Sequence, residues 1–272
     1  GMIISKRIKK FLRDYQPKEH WNIDARKATN TFLCLSEFIQ IKPVDFFSHF
    51  NEFIRPLKSD YQPKWIAFRD ERREKHVAYL KSIKYSDFSV FEQALNAIPE
   101  SCQLQISNSS IIRYAQLFSM KATVNIFCNR GTSGIDGSTS TAIGAAYAIE
   151  QQTVFITGDL SFFYDGNGLW NSNIPKSFRI IIINNSGGGI FRIIPGPKAT
   201  NAAQYFETPH CLTAEHLCKM HQLEYQKAYS AETVTKELNR FFETSDKPKI
   251  LEIFTPSAEN DLVLKDYFKY IQ

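Results

Sequence analysis

From residue 86 onward, the chain alternates short, continuous apolar runs with segments of helical periodicity. Apolar runs without a polar residue at every second position predict strands buried on both faces, as in a parallel sheet. Strands that alternate with helices predict a doubly wound parallel sheet of the α/β class. The predicted strands cover residues 104–106, 124–128, 154–156, 180–183 and 251–254, and predicted helices cover residues 88–98, 111–118 and 138–149.

The first 85 residues carry a weaker pattern. Residues 5–15 combine an apolar stripe with basic positions, which predicts a basic amphipathic helix. Such a helix can lie on a membrane, but a stripe of three turns is more simply explained by packing on a core. We expect residues 1–60 to be the C-terminal portion of a middle α/β domain. Residues 61–85 should form a charged helical connector, and residues 86–272 the main domain.

Composition narrows the class of protein. Hydrophobic residues make up 43% of the chain, yet no apolar run reaches the roughly 18 to 20 residues of a membrane span. The five cysteines form no Cys-x-x-Cys pair, which favours a cytoplasmic protein. Net charge is +5, and the first 85 residues hold 18 Lys and Arg against 10 Asp and Glu. Because these basic residues are interleaved with acids, we expect a solvated surface and no nucleic-acid partner.

Polar residues with oxygen ligands follow two of the predicted strands. Gly158-Asp159 comes after residues 154–156, and Asn184-Asn185-Ser186-Gly187 comes after residues 180–183. Ligands of open α/β sheets bind at such strand ends. The Asp159 carboxylate, the Asn185 amide oxygen and the Gly187 carbonyl suit Mg²⁺, and Ser161 near a helix N-terminus can donate to phosphate. The pattern predicts a metal-bound diphosphate, although a strand-end Asp and an Asn-Gly turn without a ligand would look similar.

Two further strand ends carry candidate groups. Ser109 and Arg113 follow the first predicted strand, and Arg130 and Ser133 lie in the glycine-rich loop after the second. Four such loops at one edge of a sheet would define a single site.

The spacing of Gly158-Asp159 and Asn184-Asn185 resembles the thiamine diphosphate signature. Flanking residues narrow the resemblance: Asn-Arg-Gly-Thr-Ser-Gly-Ile-Asp-Gly at residues 129–137, Gly-Asp-Leu-Ser at residues 158–161, and Ile190-Phe191. Together they resemble the 2-succinyl-5-enolpyruvyl-6-hydroxy-3-cyclohexene-1-carboxylate synthase family, a thiamine enzyme of menaquinone biosynthesis. The resemblance covers nearly the whole chain, but only the C-terminal half of a typical family member.

The resemblance implies a reaction and a set of residues. The family decarboxylates 2-oxoglutarate and adds the resulting carbanion to isochorismate, with thiamine diphosphate and Mg²⁺ or Mn²⁺, as a homo-oligomer (dimer or tetramer). Its activating glutamate lies on an N-terminal pyrimidine-binding domain, usually of a second subunit, and Glu150 does not stand in a matching motif. The implied metal ligands are Asp159, Asn185 and Gly187; the implied cofactor contacts are Ser109, Ser133, Ile135, Asp159, Leu160, Ser161 and Asn185; the implied substrate contacts are Lys6, Arg7, Ser109, Arg113, Arg130, Ile190, Phe191 and Ile194.

Other interpretations remain open at this point. The chain could be another thiamine diphosphate enzyme, of the 2-oxoacid decarboxylase or acetolactate synthase type, or a non-catalytic binding module. A zinc site is a further alternative, although its spacing fits no common structural zinc pattern. Without a covering domain, the apolar Ile135, Ile190 and Phe191 should be exposed. The zinc alternative would use His210, Cys211, His216, Cys218 and His221.

Overall fold

The structure, a computed structural model, describes residue 3, residues 5–194, residue 196 and residues 201–272. The chain divides into two compact units, Gly1–Trp65 and Ile66–Gln272. The domain division expected from the sequence, with boundaries after residues 60 and 85, stays a prediction.

The first unit contains two helices and a small parallel sheet. Ser5 begins the first helix, and its hydroxyl accepts a hydrogen bond from the Ile8 amide at 3.3 Å. This confirms the predicted helix, but Ile8, Phe11 and Tyr15 of its apolar stripe are exposed, so the expected packing of that stripe on a core is not observed. Phe32 is buried in this unit, whereas the second helix buries none of its side chains. The elements are α1 (Lys6–Asp14), β1 (Trp21–Ile23), β2 (Glu37–Ile39) and α2 (Pro43–Phe53), and β1 pairs with β2.

The second unit is built on a six-stranded sheet in which every pairing is parallel. The predicted strands are confirmed. One edge strand, β7, was missed because its sequence, Glu-Tyr-Gln-Lys-Ala, is mostly polar. The strands are β3 (Gln103–Ile106), β4 (Asn125–Cys128), β5 (Thr153–Gly158), β6 (Arg179–Asn184), β7 (Glu224–Ala228) and β8 (Lys249–Phe254), in the spatial order β4-β3-β5-β6-β8-β7.

Helices connect these strands. The predicted helices are confirmed, with ends that differ by a few residues, and the link from β5 to β6 begins with a short helix and a 3₁₀ turn at Gly166–Leu169. The helices are α3 (Tyr61–Leu80), α4 (Asp87–Ala97), α5 (Ser110–Ala115), α6 (Ser138–Tyr147), α7 (Asp159–Tyr164), α8 (Ile190–Ile193), α9 (Ala203–Glu207), α10 (Glu215–Met220), α11 (Ala231–Phe241) and α12 (Asn260–Tyr270).

Apolar clusters lie on both faces of this sheet. Successive strand residues point to opposite faces, so the isoleucine run of β6 serves both layers. Ile181 and Ile183 pack with α4, α5, α11 and α12, whereas Ile180 and Ile182 pack with α6, α7 and α10. This arrangement confirms the doubly wound α/β fold. It also places the carboxyl ends of β4, β3, β5 and β6 side by side at one edge.

Candidate functional site

Polar groups follow the four neighbouring strands at this edge of the sheet. Because the strands are parallel and adjacent, residues distant in sequence meet there. The loops contribute Arg130 and Ser133 after β4, Ser109 and Arg113 after β3, Asp159 and Ser161 after β5, and Asn185 and Gly187 after β6.

Asp159 links the ends of β5 and β6. It is the first residue of α7, and its side chain is buried. Carboxylate Oδ1 accepts from the Leu160 amide at 2.7 Å, and Oδ2 accepts from the Gly187 amide at 2.9 Å. The carboxylate is therefore held against the loop that carries Asn185 and Gly187.

The two adjacent asparagines have different surroundings. Asn184 donates to the Leu212 carbonyl at 3.0 Å and to Glu252 at 2.7 Å, and its Oδ1 accepts from the Ser186 amide at 3.0 Å. Asn185 donates from Nδ2 to Asp87 at 2.9 Å, but its buried Oδ1 has no hydrogen-bond partner. A buried acceptor without a partner is costly and rare. Asn185 Oδ1 is thus available to a ligand.

Gly187 adopts a backbone conformation that only glycine accommodates readily. Its φ is +146°, and a Cβ at this position would lie 2.6 Å from the backbone oxygen of Glu207. Its own carbonyl accepts from the Gly189 amide at 3.0 Å, while the Gly188 amide donates to the Glu207 carbonyl at 2.6 Å. The loop is therefore packed directly against the backbone at the C-terminal end of α9.

His210 also lies at this site, although sequence reasoning placed it only in the zinc alternative. Its Nδ1 accepts from the Leu212 amide at 3.0 Å, so the neutral ring carries its proton on Nε2. Nε2 is 3.2 Å from Asp159 Oδ2 without hydrogen-bond alignment, and Phe163 meets the ring edge-on. Among the described residues, no group of three His, Cys, Asp or Glu side chains could hold a metal ion, which contradicts the zinc alternative.

Two arginines, Arg113 and Arg130, lie close to each other after neighbouring strands of the same sheet edge. Arg130 donates to Asn108 Oδ1 at 2.7 Å, and Asn108 donates in turn to the Asn129 and Gly134 carbonyls. Desolvation of the Arg113 guanidinium, and then the charge of Arg130, lower the pKa of Arg113. Within the described part of the chain, neither arginine has an ion pair with a carboxylate. Neighbouring guanidinium groups supported by a neutral amide suit an anionic ligand.

Three serines after strand ends have left-handed backbones: Ser109 at φ 69°, Ser133 at φ 61° and Ser186 at φ 64°. Such conformations are uncommon for residues other than glycine and cluster at functional loops. Ser133 is exposed, and its hydroxyl donates to the Arg130 carbonyl at 3.4 Å. The buried Ser161 hydroxyl donates to the Ile135 carbonyl at 2.5 Å, so in this structure it ties two strand-end loops together.

The apolar and N-terminal candidates differ in exposure. Ile135, Leu160, Phe191 and Ile194 are half-buried. Ile190 is buried, so the expectation that it would be exposed is wrong, because α8 packs against α9 and α12. Lys6 and Arg7 lie in α1 of the first unit; Arg7 is exposed, and the side chain of Lys6 lies outside the described residues.

Asp87 is a second residue that sequence reasoning missed. It is the first residue of α4, after Ser86, and resembles an ordinary helix-start residue in the sequence. In the fold it is buried, and its carboxylate accepts from Asn185 Nδ2 at 2.9 Å and from Thr255 Oγ1 at 2.5 Å. Burial raises the pKa of Asp87 to about 6, against the effect of these hydrogen bonds.

A cavity of about 490 Å³ lies elsewhere on the second unit. Its lining is mainly apolar and includes none of the strand-end residues, so the candidate site remains the polar edge of the sheet. The cavity is lined by Gly166, Asn167, Trp170, Leu217, Met220 and His221.

Fold and site together define a parallel α/β protein that gathers oxygen ligands and cationic side chains at the carboxyl edge of its sheet. No protein-family model matches the chain. The chain is 52% identical over 270 residues to the 2-succinyl-5-enolpyruvyl-6-hydroxy-3-cyclohexene-1-carboxylate synthase of Flavobacterium johnsoniae, covering 99% of this chain and 49% of that protein. The synthases of Flavobacterium psychrophilum and Bacteroides thetaiotaomicron are 52% and 35% identical, covering 99% and 100% of this chain and 49% of each relative.

Over nearly its whole length, the chain is therefore similar to members of this synthase family, which confirms the resemblance seen in its motifs. It spans about half the length of the curated relatives it matches. Within the described residues, no helix has both the length and the apolar character to cross a membrane.

Proposed function

We propose that this chain forms the diphosphate- and metal-binding part of a thiamine diphosphate-dependent 2-succinyl-5-enolpyruvyl-6-hydroxy-3-cyclohexene-1-carboxylate synthase. The whole enzyme would decarboxylate 2-oxoglutarate and join the remaining carbon skeleton to isochorismate in menaquinone biosynthesis. Similarity to relatives of this name supports the proposal. The observation that carries it is the buried Asn185 oxygen without a partner, in the loop held against Asp159.

The oxygen groups present fit Mg²⁺ or Mn²⁺. Mg²⁺ prefers six oxygen ligands in octahedral geometry, and phosphate and water oxygens fill the positions that the protein oxygens leave open. Asp159 would supply a carboxylate, Asn185 its unpaired amide oxygen, and Gly187 its backbone carbonyl. Asn184 would keep a structural role, because its side chain already joins Leu212, Glu252 and Ser186.

Thiamine diphosphate would supply the carbanion chemistry when bound. Ser109, Ser133, Leu160 and the metal ligands would hold its diphosphate, and Ile135 would provide apolar support. Ser161 would contribute by positioning Ile135 through their hydrogen bond, and it would have to release that bond to donate to phosphate.

Arg113 and Arg130 would bind the substrate carboxylates. Their guanidinium groups lie close together and have no ion pair with a carboxylate among the described residues, so an anionic substrate would offset their mutual repulsion. Phe191 and Ile194 would contact the apolar parts of the substrates, with Ile190 supporting them from the core. The enzyme would act as a homo-oligomer whose activating glutamate we assign to no residue of this chain.

Titration calorimetry with thiamine diphosphate and Mg²⁺ tests the site. We expect the chain to bind the pair, and Asp159→Ala and Asn185→Ala each to lose most Mg²⁺-dependent binding, because each removes one oxygen ligand. Asp246→Ala and Asn173→Ala are matched controls at exposed positions and should bind as the wild type does. Binding that survives both site substitutions would reject the site.

An activity assay of the complete protein separates this function from that of a related thiamine enzyme. Consumption of isochorismate together with 2-oxoglutarate supports the synthase. Turnover of another 2-oxoacid without isochorismate would contradict it.

A further inference from the structure

We propose that Asp87 is a positioning residue that fixes the amide of Asn185 so that its Oδ1 faces the cation. This inference rests on the proposed function, since it concerns the same metal site. The carrying observation is the hydrogen bond from Asn185 Nδ2 to Asp87 Oδ2, at 2.9 Å, on the side of the amide opposite the unpaired oxygen.

The Asn185 amide has two ends of nearly equal size and opposite polarity. One end carries an acceptor oxygen, and the other carries an NH₂ group with two donors. An ionised carboxylate only accepts hydrogen bonds, so Asp87 can pair with the NH₂ end alone. Rotating the amide by half a turn would set its oxygen against the carboxylate and present N–H groups to the cation. Asp87 thereby makes one orientation of Asn185 strongly favoured.

Asp87 is itself fixed by hydrogen bonds at its carboxylate and at its backbone amide. Thr255 Oγ1 donates to its Oδ1 at 2.5 Å, and its backbone amide donates to Asn260 Oδ1 at 2.8 Å. The side chain is almost completely buried, and both carboxylate oxygens are engaged within the protein. Asp87 is therefore placed to orient a cation ligand without touching the cation.

Replacing Asp87 tests the orientation directly. In Asp87→Ala, the amide loses its anchor, and we expect Mn²⁺ affinity in the presence of inorganic diphosphate to fall by about 10- to 100-fold, the range for groups that orient metal ligands. The free Mn²⁺ signal in electron paramagnetic resonance measures this affinity without any turnover. Asp87→Asn keeps an acceptor oxygen at this position and should retain more affinity than Asp87→Ala.

Leu238→Ala is the control for stability, because it removes a buried apolar side chain of α11 from the same layer but no hydrogen bond to Asp87 or Asn185. Its Mn²⁺ affinity should stay near that of the wild type. If Leu238→Ala weakens Mn²⁺ binding as much as Asp87→Ala does, Asp87 acts only through stability, and the inference is wrong. Unchanged affinity in a folded Asp87→Ala variant would also overturn it.

Two further variants keep the test decisive. If Asp87→Ala does not fold, the double variant D87L/T255V takes its place. It removes the Asp87 acceptor together with the Thr255 donor, which costs less stability than leaving one of the two unpaired. It should show the same loss of Mn²⁺ affinity. In an Asn185→Ala background, Asp87→Ala should cause no further loss of Mn²⁺ affinity, because Asp87 affects the cation only by orienting Asn185. A wild-type chain that binds no Mn²⁺ with diphosphate would instead reject the proposed function.

Discussion

At the end of β6, Asn184 and Asn185 carry the same side chain but meet different partners. Each polar atom of Asn184 is bonded within the protein, so this residue shapes the loop. Asn185 is anchored on one side by Asp87 and leaves its oxygen unpaired. At the residue scale, the difference between the two asparagines is therefore set by neighbours from other parts of the fold.

Substituting Gly187 should show how strongly this loop depends on one residue. In Gly187→Ala, the new methyl group would lie 2.6 Å from the Glu207 carbonyl, and a left-handed φ of +146° would strain any L-residue. We expect a loss of about 1–3 kcal/mol in the free energy of unfolding for the backbone strain alone, measured by chemical denaturation, together with loss of cation binding.

Gly144→Ala is the control for this substitution. Gly144 lies on the exposed side of α6, where an added Cβ meets no atom within 4 Å. Alanine should stabilise the chain there by up to about 1 kcal/mol, as expected in a helix interior. Equal effects at the two glycines would contradict our description of the Gly187 turn.

At the scale of single elements, α3 carries a half-buried histidine into an aromatic cluster. His76 Nδ1 lies 3.0 Å from the Tyr267 hydroxyl of α12, and its ring packs against Phe88, Phe118 and Tyr267. Burial lowers the pKa of His76 below its usual value of 6.5. Protonation of His76 therefore favours the unfolded chain.

Stability should consequently depend on pH through His76. Above pH 6.5, the ring is neutral in both states, and its contribution is fully present. As the pH falls from 6.5 through the lower pKa of His76 in the folded chain, the free energy of unfolding decreases. The total loss is about 1.4 kcal/mol for each unit by which the folded pKa lies below the unfolded pKa. Urea unfolding of the wild type and of His76→Phe should be compared between about pH 5 and about pH 7.5. The free energy of unfolding should change less steeply with pH in the variant than in the wild type.

His49→Phe serves as the control for this measurement, because His49 is exposed on α2 of the first unit. Its unfolding should keep the pH slope of the wild type. A His76→Phe variant with an unchanged slope would show that other groups set the pH dependence.

The sequence predicted elements best where apolar residues run without interruption. The isoleucines of β6 identify a central strand because an apolar run without polar residues is typical of a strand that is buried on both faces. The edge strand β7 escaped because its side chains are mostly polar and only half-buried. Local pattern thus predicts strands with continuous apolar runs, including the edge strand β4, and misses the polar edge strand β7.

The candidate site residues also divide into those that local sequence predicts and those that it does not. Asp159 and Asn185 follow strong strands, so their convergence could be expected from the sequence alone. Asp87 and His210 could not be found, because their roles arise from contacts across the fold: Asp87 is 98 positions from Asn185. No local signal marks an acid at a helix start as the anchor of an amide in another loop.

At the scale of the whole second unit, Phe88 joins the helices of one layer. It is fully buried, and its ring contacts Tyr79 of α3, Tyr114 of α5 and Tyr267 of α12. The layer that covers one face of the sheet therefore depends on a single aromatic core. This layer also holds α4, whose first residue is Asp87.

Phe88→Ala should destabilise the chain by about 3–5 kcal/mol, because it removes a large buried side chain and leaves a cavity. Thermal or urea unfolding measures the loss. Trp170→Ala is the control: Trp170 is 84% exposed, and its removal should change stability by no more than about 0.5 kcal/mol. A mild effect at Phe88 would mean that the layer repacks around the gap.

The strand order of the sheet has a consequence for how the protein is made. β8 follows β7 in sequence but lies between β6 and β7, so β7 pairs with no strand of the described sheet until β8 has been made. Thr255, which directly follows β8, is 168 positions from its partner Asp87. Chains dominated by such distant contacts fold slowly and expose unpaired strands while they wait. On the ribosome, Asp87 and Asn185 therefore emerge before Thr255, which completes their network, and we expect β7 to stay unpaired until β8 has been released.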